Sequence, residues 1–508
     1  FARMPALMDV GIHTVVNGPI TYTIDGAPLV GRIPGKRNAF CIIGLRAGLG
    51  EGGGHGWLLA QQIVHGEAQY DTWVTDPRRF TSHANVELTA LKAIEDYQNE
   101  FRFHFPHEHR PAGRPMKTTP LTPILAAAGA AFKVVNGWER VDYMKPGPEF
   151  HETHSFRFNE TFDVVAREVA AVQTGVGVCE VNGFNRIELT GAGVHNFLDR
   201  MSCGHIPRKP GKVGLCYLLN HFGALKAEAT IANLPASDRG PDRVWYGSAA
   251  AAEYHDMDWL RAHLRPGEDV QIRSITNDHT ILVVAGPKSR AVMQAVSRAD
   301  WSRDAFPWLS ARECFVGIAP AVVMSVSYSG ELAYEIHVPN AHLYAAWLAL
   351  RAAGATHDMQ VFGARAVESM RMEKGYLHWK ADIVTEFDPF ETGLERFVRM
   401  EKAEFIGRDA LLARQASGPQ RRLVTLAIQS RDAPAHGGAS VMVDGAVKGT
   451  VTSGDWGHRL GMNLAYAFVD PALATPGTQV TIDIIGRLTP AEVIAPGPYD
   501  PDHAIVRA

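Results

Sequence analysis

The stretch Ser329-Gly330-Glu331-Leu332-Ala333-Tyr334-Glu335 leaves a turn at Tyr328-Ser329-Gly330 and runs into a strand-like segment ending at Glu335. Working outward, the apolar run Ile281-Leu282-Val283-Val284-Ala285 reads as another short buried strand, and Ala341–Ala353 carries helical spacing. Such patterns alternate from about 161 to 412, which is α+β or α/β texture. Past 420 strand-like runs dominate, at Leu423–Ile428, Ser440–Val443, Gly449–Thr452 and Gln479–Ile485. Gly, Pro and Asp split them, and a small β-barrel or sandwich fits. Upstream, Thr21-Tyr22-Thr23-Ile24-Asp25-Gly26 ends in a DG turn and Ala39-Phe40-Cys41-Ile42-Ile43-Gly44 predicts a strand. A glycine-rich loop, Gly48 to Gly56, then leads into a helix from Trp57. Residues 81–160 form a connector, with a helix over 85–99 followed by prolines 106, 111, 115, 120 and 123, which forbid long helices.

The chain has 508 residues, 46% apolar and 20% charged, which excludes intrinsic disorder and suggests about three domains at ~150 residues each. With 50 Lys plus Arg against 54 Asp plus Glu, the net charge of −4 recruits neither nucleic acid nor an anionic membrane. No apolar run is long enough to span a bilayer. Five scattered cysteines (Cys41, Cys179, Cys203, Cys216, Cys314) without a CxxC pair predict free thiols in a reducing compartment. The chain opens at Phe1 without a secretory or transit signature, and the expectation is that it begins inside a longer polypeptide.

Strand, glycine loop and helix together make an anion-binding design of bare amides and a positive helix end. The GxGxxG fingerprint is missing, so the loop is not the primary pyrophosphate site. His104, His107 and His109, like His151 and His154, lack metal-ligand spacing, and no metal is expected. A GxSxG nucleophile elbow is absent. Arg365 and Arg371 lie six apart on a predicted helix, about 120° from coincidence, and cannot serve one point equally.

Three segments, Asn17–Gly31, Gly50–Gly56 and Asp76-Pro77-Arg78-Arg79-Phe80, resemble the closing part of the FAD domain in dimethylglycine and sarcosine dehydrogenases. Phe105–Arg114, Gly137-Trp138-Glu139-Arg140 and Glu373–Asp382 look like sarcosine dehydrogenase. From about 160 the chain is similar to the glycine-cleavage T-protein, an aminomethyltransferase that binds tetrahydrofolate. The marks are Ser329–Glu335, Asp388–Leu394 and Phe405–Leu411.

The resemblance implies an α+β multidomain protein. Residues 1–80 would be the C-terminal part of an FAD oxidoreductase domain, 81–160 a connector, 161–412 a T-protein-like folate-binding domain and 420–508 a C-terminal β-barrel. It implies FAD, approached by Gly50, Glu51, Gly52, Gly53 and Gly54, and tetrahydrofolate. Glu335 would accept two pterin N–H groups in a fork, Tyr334 and Tyr328 would pack on the pterin, and Arg365, or else Arg371, would meet a folate carboxylate. Glu228 stands where the T-protein has an aspartate and would manage the proton of one-carbon transfer. Each residue also has a plain structural alternative: a solvated glutamate, a sheet-filling tyrosine, or an arginine paired with Glu368 or Glu373.

The implied activity is oxidative demethylation of an N-methylated glycine with one-carbon transfer to tetrahydrofolate. Expected partners are the small methylated amine, an electron-transfer flavoprotein and a missing N-terminal half or complementary subunit; a bacterial cytoplasm is favoured over a mitochondrial matrix. The competing expectation is a non-enzymatic interaction protein, since the same architecture occurs in the pyruvate dehydrogenase phosphatase regulatory subunit.

Overall fold

Strand alternation sorts the middle of the chain into two facing sheets. The computed structural model describes residues 4–237 and 241–508. The first sheet is antiparallel with five strands in the order Gln271–Ser274, Asn185–Thr190, Arg243–Ser248, Leu225–Leu234, Val213–Leu219. One face, with Ile187, Leu189, Ala227, Ala229, Ile231 and Tyr246, packs on the helices Val194–Met201 and Glu253–Ala262. The second has six strands in the order Ala311–Val316, Ala319–Met324, Ala333–Pro339, His279–Ala285, Gly177–Val181, Gln360–Val361, and only the last pairing is parallel. Its outer face, with Val323, Tyr334, Ile336 and Val338, packs on the helices Ser289–Val296 and Leu343–Ala355.

The inner faces meet where Ala232, Leu234 and Trp245 of the first sheet touch Val322 and Met324 of the second. Successive side chains on a strand point to opposite faces. Hence Arg186, which precedes Ile187, and Glu228, between Ala227 and Ala229, turn toward the second sheet. Glu335 and His337 turn toward the first. Parity alone puts four ionisable side chains on the facing inner surfaces of the two sheets.

The C-terminal region closes into a six-stranded barrel whose edge strands, Arg422–Ile428 and Arg487–Ile494, pair with each other. Leu426, Val441, Ala465, Ile482 and Val493 fill it, and closure leaves no free edge. At the other end, Leu29–Arg32 pairs with Phe40–Ile43, and Val86–Gln98 is a helix capped by Asn85, whose side chain accepts from the Leu88 amide at 2.8 Å. A hairpin that the proline-rich connector did not suggest, Ala130–Val135 with Trp138–Met144, reaches the T-protein-like region.

The expected glycine loop is a helix. Residues Gly48–His65 form one continuous element, stopped at left-handed Gly66, whose amide donates to Gln62. Glycine costs roughly 1 kcal/mol per helical position relative to alanine. Once Trp57–His65 is helical, however, each residue added upstream gains a backbone bond without a new nucleation cost.

Candidate functional site

Glu228 sits opposite Tyr217 in the first sheet, and the Tyr217 hydroxyl donates to its carboxylate at 2.6 Å. Burial pushes the Glu228 carboxyl up to about 7; the Tyr217 bond restrains the rise, and Asp382 adds to it. Near neutral pH the group is therefore split between acid and base forms, as a proton-transfer residue requires.

Glu335 faces the first sheet beside His337, whose Nε2 lies 3.4 Å from its carboxylate. Burial holds the imidazole neutral, so the contact is not an ion pair, and among the described residues neither ring nitrogen has a hydrogen-bond partner. Burial also lifts Glu335 to about 7, with Arg186 pulling it back. Among the described residues nothing donates a hydrogen bond to Glu335. It keeps 27% of its side-chain surface open although protein encloses it, so that surface looks into the cleft rather than to bulk water. The two carboxylates answer to different charges, Asp382 and Arg186, and mark separate positions in the cleft.

Tyr328 is 37% exposed within a similar enclosure. Its hydroxyl donates to the Leu377 carbonyl at 3.0 Å, and its ring stacks on Tyr376 with centroids 6.1 Å apart. Behind it Arg371, 1% exposed, is gripped by Glu368 and by Asp382 at 2.7 Å. Burial opposes ionisation of Glu368, but the Arg371 guanidinium prevails and holds it down to about 2. Asp382 also accepts from the His378 amide and, from the barrel, the Thr452 and Ser453 hydroxyls. The floor of this part of the cleft is thereby tied to the C-terminal domain.

Three sequence assignments fall elsewhere. Tyr334 is fully buried on the other face of its strand, 5.5 Å from Trp301 and 6.1 Å from Phe306 between centroids, and cannot meet a ligand that Glu335 touches. Arg365 spends its fork on Asp142 at 2.7 Å and on Glu152 at 2.7 and 3.0 Å, with Thr161 as a further acceptor. It bolts the connector to the helix Ala364–Lys374, and its buried fork is committed to these two carboxylates rather than to a folate carboxylate. The third correction concerns Gly50, Glu51, Gly52, Gly53 and Gly54. The Gly50 and Glu51 amides already donate to the Ala47 carbonyl, and Gly52, Gly53 and Gly54 lie inside the helix, so these amides are not a free anion cradle. What the glycines offer is bare surface: a Cβ on Gly50, Gly53 or Gly54 would meet nothing within 4 Å.

Sequence reasoning missed Arg186, Tyr217, Trp245, His337 and Asp382. Strand parity was the available signal for the first four, once either sheet's core face was known. The connector's His104, His107 and His109 line a depression of about 460 Å³ with Lys133 and His436, away from both carboxylates. Among the described residues no group of three or more His, Cys, Asp or Glu could hold a metal ion.

This architecture has known counterparts. Residues 121–402 match the GCVT N-terminal domain, 421–500 the glycine cleavage T-protein C-terminal barrel domain, and 65–119 the FAD dependent oxidoreductase central domain. The chain belongs to the glycine-cleavage T-protein family. The oxidoreductase match straddles residue 80, where the sequence alone suggested a boundary. The chain is 32% identical to mitochondrial dimethylglycine dehydrogenase of Rattus norvegicus, over 97% of this chain and 57% of that protein. To mitochondrial sarcosine dehydrogenase of Homo sapiens it is 29% identical, over 99% of this chain and 60% of that one. It thus spans somewhat more than half the length of these relatives. The glycine cleavage system aminomethyltransferase T from Bartonella henselae superposes with a TM-score of 0.65 at 23% identity, over 76% of this chain and 98% of that structure. That likeness supports the fold.

The cleft fits a pterin: among the described residues Glu335 and Arg186 are buried groups without a hydrogen-bond partner, and Tyr328 supplies a ring on the side of Glu228 and Asp382. The glycine helix presents bare backbone at Gly50, Gly53 and Gly54 and has no free amides to hold a pyrophosphate.

Proposed function

We propose that this chain serves oxidative demethylation of an N-methylated glycine and passes the one-carbon unit to tetrahydrofolate in the cleft between its two sheets. The observation that carries this is Glu335, a desolvated acceptor to which no described protein group donates. A buried carboxylate without donors is costly, and adjacent N–H groups on a ligand edge satisfy both its oxygens. FAD, when bound, supplies the two-electron oxidation of the N-methyl amine. The residues of this chain do the rest. Glu335 fixes the acceptor in register, and the Tyr328–Tyr376 pair walls the cleft. Glu228, aimed by Tyr217, takes the proton that a folate amine loses as it attacks the oxidised carbon. Enclosure between the sheets keeps water from that carbon.

Large apolar side chains left exposed are concentrated between Met4 and Phe103, including Leu49, Trp57, Val64, Ile94, Phe101 and Phe103. Large apolar side chains exposed in such number on one part of the chain suit an interaction surface. Since this end also contains the oxidoreductase match, its proposed occupant is the flavin-carrying polypeptide. A purely regulatory role would give no reason for a buried Glu335 to which no described group donates, when the buried Glu168 and Glu180 both have donors.

Calorimetric titration of tetrahydrofolate into the chain and into Glu335→Gln tests the proposal. Loss of the charge-assisted fork should weaken binding by ~1–3 kcal/mol. Equal affinities would remove Glu335, and with it the folate reading of the cleft.

A further inference from the structure

Arg186 is 4% exposed, yet its guanidinium donates no hydrogen bond and has no carboxylate within ion-pair distance among the described residues. The nearest support is Trp245, whose ring centroid is 5.7 Å from the guanidinium carbon. A buried unpaired guanidinium costs several kcal/mol. It cannot escape by losing its proton, because arginine stays charged in proteins. Its position is equally telling: it projects from the first sheet toward Glu335 and His337 on the second. Arg186 and Glu335 feel each other's charge without forming a contact pair. The gap therefore has an obligate donor on one side and an acceptor on the other.

A ligand edge that completes both must carry two donors beside an acceptor. A 2-amino-4-oxopyrimidine has this order: exocyclic amine, ring N–H, carbonyl oxygen. With the first two in the Glu335 fork, the 4-oxo group is left for a cation. We infer that Arg186 is the specificity-determining residue that reads the 4-oxo group of the bound reduced pterin. This rests on the folate reading above and goes further, because it says which pterins are refused. A 2,4-diaminopyrimidine turns N–H donors toward a side chain that has no acceptor, and mismatched buried polar groups are strongly rejected.

The test is equilibrium binding of tetrahydrofolate and of its 4-amino-4-deoxy counterpart to the full chain, to Arg186→Met and to Arg186→Lys. The unaltered chain should favour the 4-oxo ligand by roughly 100-fold. Arg186→Met should collapse that ratio to about 3-fold or less, mostly by weakening the 4-oxo ligand, while Arg186→Lys retains part of it. Arg186→Met should also resist urea better without ligand, since an uncompensated buried charge is gone. Glu335→Gln should weaken both ligands and keep the ratio. Discrimination that survives in a folded Arg186→Met overturns the inference, as does a ratio near one in the unaltered chain. If the unaltered chain binds neither ligand, the folate reading itself fails, a result distinct from either.

Discussion

Replacing Glu335 by glutamine should change how stability depends on pH, and the sign follows from the raised carboxyl. In the unfolded chain a glutamate ionises near 4.5, whereas in the cleft Glu335 holds its proton to about 7. Between these values the folded state binds more protons than the unfolded one, so stability falls as pH rises. The native proton is an advantage fully present below 4.5 and lost by the time pH passes 7. At ~1.4 kcal/mol per pH unit the loss approaches ~3.5 kcal/mol. With 27% of the side chain open to the cleft, screening brings it to about 2 kcal/mol. Glutamine does not titrate and escapes this loss.

Urea unfolding of both proteins from pH 4.5 to 8.5 therefore has a defined outcome: Glu335→Gln gains about 2 kcal/mol on the unaltered chain across the window, with no further change above pH 7 to 7.5. The difference between the proteins must be read, because Glu168, Glu180 and Glu228 are also raised to about 7 by burial. Parallel pH profiles would show that Glu335 is not desolvated as described. Tetrahydrofolate affinity should run the opposite way, rising through pH 7 in the unaltered chain as the carboxylate forms and staying flat in the variant.

In the flavin-loaded enzyme, Glu228→Ala should leave amine-dependent dye reduction nearly intact while capture of the one-carbon unit by folate drops ~10²–10⁴-fold and free formaldehyde rises; equal loss in both assays would mean structural damage. Arg365→Met strands Asp142 and Glu152 without their cation and should cost about 3–5 kcal/mol in urea unfolding while folded protein keeps its folate affinity. A selective loss of folate binding would restore Arg365 to the site. Gly53→Ala places a methyl where nothing lies within 4 Å and should stabilise the chain by about 0.5–1 kcal/mol. Destabilisation would show that the glycine helix is not formed.

Much of the fold was legible because its signals are local. Alternation and turn residues marked the barrel strands, and the helical pattern over 85–99 marked the helix Val86–Gln98. The glycine stretch misled because propensity, which disfavours glycine in a helix, yielded to propagation from the apolar segment after it. Within the cleft, the Ser329–Glu335 resemblance pointed to both Tyr334 and Glu335, but adjacent strand residues face opposite ways, and a motif does not say which one faces the ligand. Arg186 was invisible for another reason. An arginine in an amphipathic strand looks solvated until the opposing sheet is known to cover it. Arg365 was misjudged because its partners, Asp142 and Glu152, lie more than 200 positions away, beyond any local pattern.

The two-residue repeat of the facing strands also governs which length changes the protein can survive. Inserting or deleting one residue just before Tyr334 would exchange its role with that of Glu335, driving a carboxylate into the packing of Trp301 and Phe306 and a phenol into the cleft. Fold and chemistry would be lost together. A two-residue change restores the facing and can be absorbed as a bulge. Viable variation in these strands should therefore come as substitutions and as even-numbered length changes, whereas the loops between them are free to vary by one.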